Sequence, residues 1–264
     1  MYPDRLFEFT LFGKTLGPNL YGIMIAIGLV AAITVIFVYG KKWGLTEQFI
    51  DFLFYNSILA VALGFGSASL FQAFYNYLDD PSVSYLEHLK NGGMTFIGGL
   101  IGGTLVFLAV YFILRKRLNG RLIDSLSMIP CAILVAHGFG RLGCFFVGCC
   151  YGKPTDSFLG VQFPHLAERV HPTQLYEAAF LFIMFAVCSF LLLKLKFKHN
   201  MSLYLVSYGI FRFLIEYLRG DDRGELVSIV SPSQFWSIFM ILLGVALYFV
   251  LEKVFFAKKT ADEE

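Results

Sequence analysis

HGFGRLGCFFVGCCYGKPT, residues 137–155, begins as the end of an apolar span and carries an arginine, Arg141, inside it. Three cysteines, Cys144, Cys149 and Cys150, follow among glycines, and the stretch leaves through Gly152, Lys153 and Pro154. A charged side chain at the centre of a membrane helix costs about 2.5–3.5 kcal/mol on insertion scales, so it persists where it has a task. His137, Arg141 and Cys144 are spaced i, i+4, i+7 and share one helix face. Gly140 and Gly143 flank the arginine and leave space for a bulky anion. The stretch therefore predicts a helical membrane protein with an anion-holding charge near the end of a span.

Composition agrees. Of 264 residues, 57% are hydrophobic and 15% charged, and 30 are phenylalanine. Soluble domains average roughly 45–50% apolar and about 25% charged. The segments between polar breaks have the length needed to cross a hydrocarbon core, about 20 residues each. We read seven spans, at 19–39, 50–76, 95–114, 123–142, 173–193, 202–218 and 234–256. The expected fold is all-α, a polytopic membrane protein formed as a single helical domain over 1–264. The net charge of +2 is spread over loops, so no nucleic acid partner is expected. The first residues, MYPDRLFEF, lack the basic region and cleavage site of a signal peptide. Five cysteines define no complete disulfide framework.

Loop charge sets the expected orientation. Lys41, Lys42, Arg115, Lys116, Arg117, Arg121, Lys194, Lys196, Lys198, Lys253, Lys258 and Lys259 fall on one side. That side is expected to be cytoplasmic, with the N-terminus outside and the C-terminus inside. The opposite loops, at 79–93, 151–171 and 220–231, mix Asp, Glu, His, Pro and Gly. Function is expected there, at the outer leaflet.

Four groups of residues bear on chemistry. Gly98, Gly99, Gly102 and Gly103 are four apart in pairs, the spacing that lets membrane helices approach closely. A wider use, room for a lipid headgroup, is open for Gly98 and Gly99. Arg212, Glu216 and Arg219 fall at i, i+4, i+7, with Glu216 placed to pair with either arginine. Together with Arg141 they leave excess positive charge, and guanidinium matches phosphate in a planar, bidentate way. His171 opens the fifth span beside Gln174, Tyr176 and Glu177, with Glu177 placed to orient it. Pro172 in that first turn and Pro232 at the start of the seventh span mark helix starts. The cysteines have a poor spacing for a structural zinc site, which takes about four ligands. A Cys144–Cys149 disulfide and plain packing are the other readings; no metal and no cofactor are expected.

Taken together, these residues resemble the bacterial prolipoprotein diacylglyceryl transferase family. The matching pieces are Tyr21-Gly22, GGMTFIGGLIGG at 92–103, GRLGCFFVGCCYG at 140–152, HPTQLYE at 171–177 and YGIFRFLIEYLRGDD at 208–222. The resemblance spans nearly the whole chain. It implies a multi-pass enzyme of the bacterial plasma membrane that moves the diacylglyceryl group of phosphatidylglycerol onto a lipobox cysteine thiol. The partners it implies are phosphatidylglycerol, the signal peptide of a preprolipoprotein and the surrounding membrane lipid. It places Arg141 and Arg212 at the essential arginines, with Arg219 and Glu216 beside them, and matches Tyr21 and Gly152. The chain departs from the family pattern at four places. Cys144 stands for an asparagine, Cys149 for a glutamate, Ser69 for an arginine and Ile97 for a histidine. His137, one turn from Arg141, is the expected base, and His171 the second candidate. A headgroup transferase with another acceptor, a thiol oxidoreductase and an anion transporter are the competing readings.

Overall fold

Hydropathy dictates the architecture. In the computed structural model, which describes residues 6, 9–11, 14–220 and 231–263, six helices are long and apolar enough to cross a membrane. The apolar stretch Gly98–Leu114, within the 19-residue helix Phe96–Leu114, is a seventh apolar segment. The helices are α1 (Leu20–Trp43), α2 (Glu47–Asp79), α3 (Tyr85–Lys90), α4 (Phe96–Leu114), α5 (Leu122–Ser125), α6 (Ile129–Val147), α7 (Thr173–Leu193), α8 (Asn200–Ile215) and α9 (Pro232–Glu263). A 3-10 turn, Glu216–Leu218, continues α8. Two short antiparallel hairpins were not expected: β1 (Phe9–Leu11) with β2 (Lys14–Leu16), and β3 (Val161–Gln162) with β4 (Arg169–Val170).

One span differs from its expected position. The sequence places it at 123–142, whereas α6 runs Ile129–Val147, with the short α5 separate before it. Pro130 explains the shift. It lies in the first turn of α6, where its missing N–H costs nothing and its fixed φ suits a helix start. Arg141 consequently lies in the last two turns of α6 rather than at the end of the span.

The chain forms two compact units, one of residues 44–125 and one of residues 1–43 with 126–264. In the first, α2 and α4 pack through small residues. Without a hydrophobic drive between helices in lipid, close backbone approach and interhelical hydrogen bonds hold such pairs. Gly64 of α2 meets Gly99 and Gly103 of α4. Ser67 Oγ donates to the Gly98 carbonyl at 2.8 Å and Asn56 Nδ2 to the Phe107 carbonyl at 3.0 Å. Thr95 Oγ1 donates to Gln72 Oε1 at 2.6 Å.

In the second unit, α6 is the hub. It packs on α1, where Gly28 faces Ala136 and Phe139, and on α7, where Phe139 meets Phe182 edge-on. The pair α8 and α9 packs through Gly209 and Gly244. The buried Asn200 ties the unit together, donating to the Ser127 and Cys188 carbonyls at 3.0 Å each. At the lysine-rich end, Lys196 lies over the Trp43 ring, 5.7 Å from its centre.

Candidate active site

Glu177 organises the site. It lies in the second turn of α7, is 1% exposed, and meets groups from two other helices. Arg141 Nε of α6 lies 2.9 Å from Glu177 Oε2, and His137 Nε2 lies 3.6 Å from Oε1. The Tyr208 hydroxyl of α8 donates to Oε1 at 2.7 Å. A buried carboxylate is stable only when paired and hydrogen-bonded, and here both conditions are met. His137 packs edge-on against Tyr208, and Arg212 is near enough to bear on the Glu177 charge.

A second pair stands on α8. Arg212 Nη1 lies 2.9 Å from Glu216 Oε2, and Arg212 Nη2 donates to Ser233 Oγ of α9 at 2.8 Å. Ser231 Oγ donates to Glu216 Oε1 at 3.0 Å. Neither ion pair is an aligned hydrogen bond through the arginine atom that makes it.

Arg219 departs from expectation. The spacing i, i+4, i+7 places it on one face with Arg212 and Glu216. The α-helix ends at Ile215, and the 3-10 turn hands Arg219 to extended backbone at φ −76° and ψ 144°. There it bridges to Gly152 and reaches the Cys150 thiol. Its side chain is buried.

The loop after α6 is clamped on the starts of α7 and the 3-10 turn. Gly152 N–H donates to the His171 carbonyl at 2.8 Å, and Lys153 N–H to the Leu218 carbonyl at 2.8 Å. Thr173 Oγ1 donates to the Cys150 carbonyl at 2.9 Å, and the buried Gln174 amide donates to the Cys149 carbonyl. Gly152 has no room for a side chain. A Cβ there falls against the Leu218 carbonyl oxygen, 2.8 Å from Thr173 Cγ2 and 2.9 Å from His171 Cβ. Gly152→Ala is expected to lose about 1–3 kcal/mol of stability, the range for overpacking a tight site. Thermal unfolding in detergent checks it; an unchanged midpoint contradicts the clamp.

The same loop gathers the cysteines. Gly148, at φ +79°, caps α6 in the left-handed conformation, and Cys150 follows at φ +63°. The chain thereby folds back on the last turn of α6. The Sγ atoms of Cys144, Cys149 and Cys150 lie within 4.8 Å of one another, each half-buried. All three thiols are free. Hydrogen bonds from the Cys144 and Cys149 thiols, with the Arg219 guanidinium beside it, hold the Cys150 thiol below its usual range against the effect of burial.

The other expected residues are placed as follows. Tyr21 is 41% exposed and stands against Gly143, so that glycine serves helix packing rather than anion space. His171 Nδ1 lies 3.2 Å from the Tyr176 hydroxyl. Glu177, expected to orient His171, is turned instead to Arg141, because neighbouring residues on a helix point about 100° apart. Gly98 and Gly99 belong to the unit of residues 44–125, where Gly98 faces Phe71, and Gly99 faces Ala68 and Gly64. The side chain of Ile97 and residues 221–230, including Asp221 and Asp222, lie outside the described residues. Sequence reading missed Tyr208 as a partner of Glu177. Its only signal is the i, i+4 spacing to Arg212.

Comparison with known proteins follows the same lines. Residues 11–250 match the family model described as prolipoprotein diacylglyceryl transferase. The chain is 37% identical over 251 residues to the phosphatidylglycerol–prolipoprotein diacylglyceryl transferase of Clostridium tetani, covering 91% of this chain and 95% of that protein. It is 34% identical over 240 residues to phosphatidylglycerol–prolipoprotein diacylglyceryl transferase 2 of Clostridium perfringens, covering 86% and 89%. The Shewanella oneidensis protein of the same kind is 33% identical over 258 residues, covering 92% and 91%.

Proposed function

We infer the reaction from one premise: the chain belongs to the prolipoprotein diacylglyceryl transferase family. It is a multi-pass membrane enzyme that transfers the diacylglyceryl group of phosphatidylglycerol to the cysteine thiol of a prolipoprotein. Glycerol 1-phosphate leaves, and a thioether forms. The observation that carries the site assignment is that Arg141 of α6 pairs with Glu177 of α7, whose other oxygen takes the hydroxyl of Tyr208, one turn before Arg212 on α8.

The chemistry needs three things from this surface. The first is charge for the departing phosphate. Arg141 and Arg212 supply it, each held in place by a carboxylate, Glu177 and Glu216, before the phosphodiester arrives. Donors fixed before the reaction stabilise charge that develops during it, and they are strongest where water is excluded. The second is orientation. Glu177 holds Arg141 by Nε, while Glu216 and Ser233 hold Arg212. The third is access. His171 and Tyr176, in contact with each other beside the Gly152 clamp, and the exposed Tyr21 of α1 against Gly143 are the groups offered to lipid headgroup and signal peptide in this reading. Gly98 and Gly99 are assigned no more than the packing of α4 on α2 in this reading.

His137 lies against Glu177 and Tyr208. In this reading it positions the carboxylate that positions Arg141, and the thiol proton passes to water. The site is assigned to the outer face, opposite the lysine-rich ends.

Purified protein in phosphatidylglycerol nanodiscs, given a lipobox peptide, is expected to add one diacylglyceryl group to the peptide by mass. The serine version of the peptide and phosphatidylethanolamine as sole lipid are expected to give none. Equal transfer to the serine peptide contradicts thiol attack.

A further inference from the structure

The fold makes something of the cysteines that their spacing hides. Cys144, Cys149 and Cys150 present three sulfurs within 4.8 Å of one another around one point. A tetrahedral ion with metal–sulfur bonds of about 2.3 Å holds its sulfurs about 3.8 Å apart. The sulfurs therefore need to close by about 1 Å at most. The scaffold beneath them is firm. Cys144 is in the last turn of α6, and the carbonyls of Cys149 and Cys150 are held by Gln174 and Thr173, both buried.

Charge fits as well. Three thiolates around a divalent ion carry one net negative charge. The Arg219 guanidinium, which bonds Cys150, offsets it from the second shell. Thiolate ligands select zinc-like ions over magnesium or calcium. Three protein ligands leave the fourth tetrahedral position open, the arrangement of reactive rather than structural zinc sites.

We propose that Cys144, Cys149 and Cys150 bind a thiophilic divalent ion of the zinc class, and that the acceptor cysteine thiol takes the fourth position. This rests on the reaction proposed above. Position supports it. Arg141 and Cys144 are three residues apart in α6, about 4.5 Å of helix rise. A phosphate held at Arg141 and a sulfur held at the cluster are then served by adjacent turns at the same end of one helix.

The step balances without any redox partner. The acceptor S–H gives its proton to water as its sulfur binds the ion, since a coordinating thiol is deprotonated. That sulfur forms a bond to the terminal glycerol carbon of the diacylglyceryl group. The bond from that carbon to the phosphate oxygen breaks, and its electron pair leaves with glycerol 1-phosphate. The ion keeps its charge, and the thioether, a weaker ligand than a thiolate, departs.

The test uses full-length protein in nanodiscs, reduced, stripped with a chelator and titrated with cobalt(II). The expected result is thiolate-to-cobalt charge-transfer and ligand-field bands that saturate at one ion per chain and are displaced by zinc. C150S is expected to weaken them, and a C144S/C149S/C150S variant to lose them. The lipobox peptide is expected to shift the ligand-field bands, and its serine version to leave them unchanged. Absence of bands in wild-type protein whose three thiols all react with a maleimide overturns the site. Bands that ignore the cysteine peptide overturn the acceptor assignment. Transfer from phosphatidylglycerol by metal-free protein sinks this inference and leaves the reaction standing. A peptide-sensitive metal site in protein that transfers nothing does the reverse.

Discussion

Arg141→Gln is expected to lower diacylglyceryl transfer by about 10²–10³-fold, the loss seen when one fixed donor to a developing anion is removed. The size follows from its position. Arg141 is held by a nearly buried carboxylate, so its charge is in place before the phosphate arrives. Glutamine keeps some hydrogen-bonding capacity but not the charge or the planar fork. Arg141→Lys restores the charge without the fork, and since the two groups are not equivalent at a bidentate site, it is expected to recover only part of the rate. Initial rates at saturating peptide, with phosphatidylglycerol varied, separate the two effects. The main loss is expected in kcat, because the leaving phosphate carries more charge than the bound diester. A pure rise in KM contradicts a role at the transition state.

The second large effect is on stability. Glu177→Ala is expected to cost about 3–5 kcal/mol, the range for removing one partner of a buried ion pair. It strands the Arg141 charge and leaves the Tyr208 hydroxyl and His137 facing a void. Glu177→Gln keeps an acceptor for Tyr208 and fills the same volume, so it is expected to lose less stability. It still removes the carboxylate that holds Arg141, so its transfer rate falls too. Thermal unfolding in detergent orders the three proteins as wild type, then Glu177→Gln, then Glu177→Ala. A cycle with Arg141→Gln tests whether the pair acts as a unit, since residues in one network do not add independently. Additive losses contradict that.

Much of the fold was legible because a bilayer leaves few options. Backbone groups in lipid must be satisfied within the segment, so long apolar runs are helices. Glycines four apart in 98–103 announced the α2–α4 contact, and Ser67 and Ala68 complete it. The misplaced span shows where hydropathy stops. The expected span took in Asp124, Ser125 and Ser127 along with Ile123, Leu126 and Met128, whereas Pro130 in the first turn of α6 starts the helix later.

The site was legible in its charges and not in their pairing. Arg141, Arg212, Glu177 and Glu216 all stood out by type. That Glu177 serves Arg141 rather than His171 depends on how α6 and α7 face each other, which no local pattern encodes. Arg219 left its expected face because the α-helix ends at Ile215 and tightens into a 3-10 turn, and Gly220 marks only the end of that turn. The thiol cluster depends on a left-handed Cys150. A non-glycine residue in that conformation is uncommon, and nothing in its neighbourhood announces it. Spacing alone made the cysteines a poor metal site; the turn at Gly148 and Cys150 brings them together.

The central claim is that these arginines hold the phosphate of phosphatidylglycerol while a thiol displaces it. The most direct measurement follows both products from one reaction of the full-length protein in phosphatidylglycerol nanodiscs with a lipobox peptide. Thioether-linked peptide is read by mass, and glycerol 1-phosphate by an enzyme-coupled assay. The two are expected to appear in equal amounts with wild type and to fall together in Arg141→Gln. Glycerol phosphate released without lipidated peptide, or lipidated peptide formed at the wild-type rate by Arg141→Gln, contradicts the account.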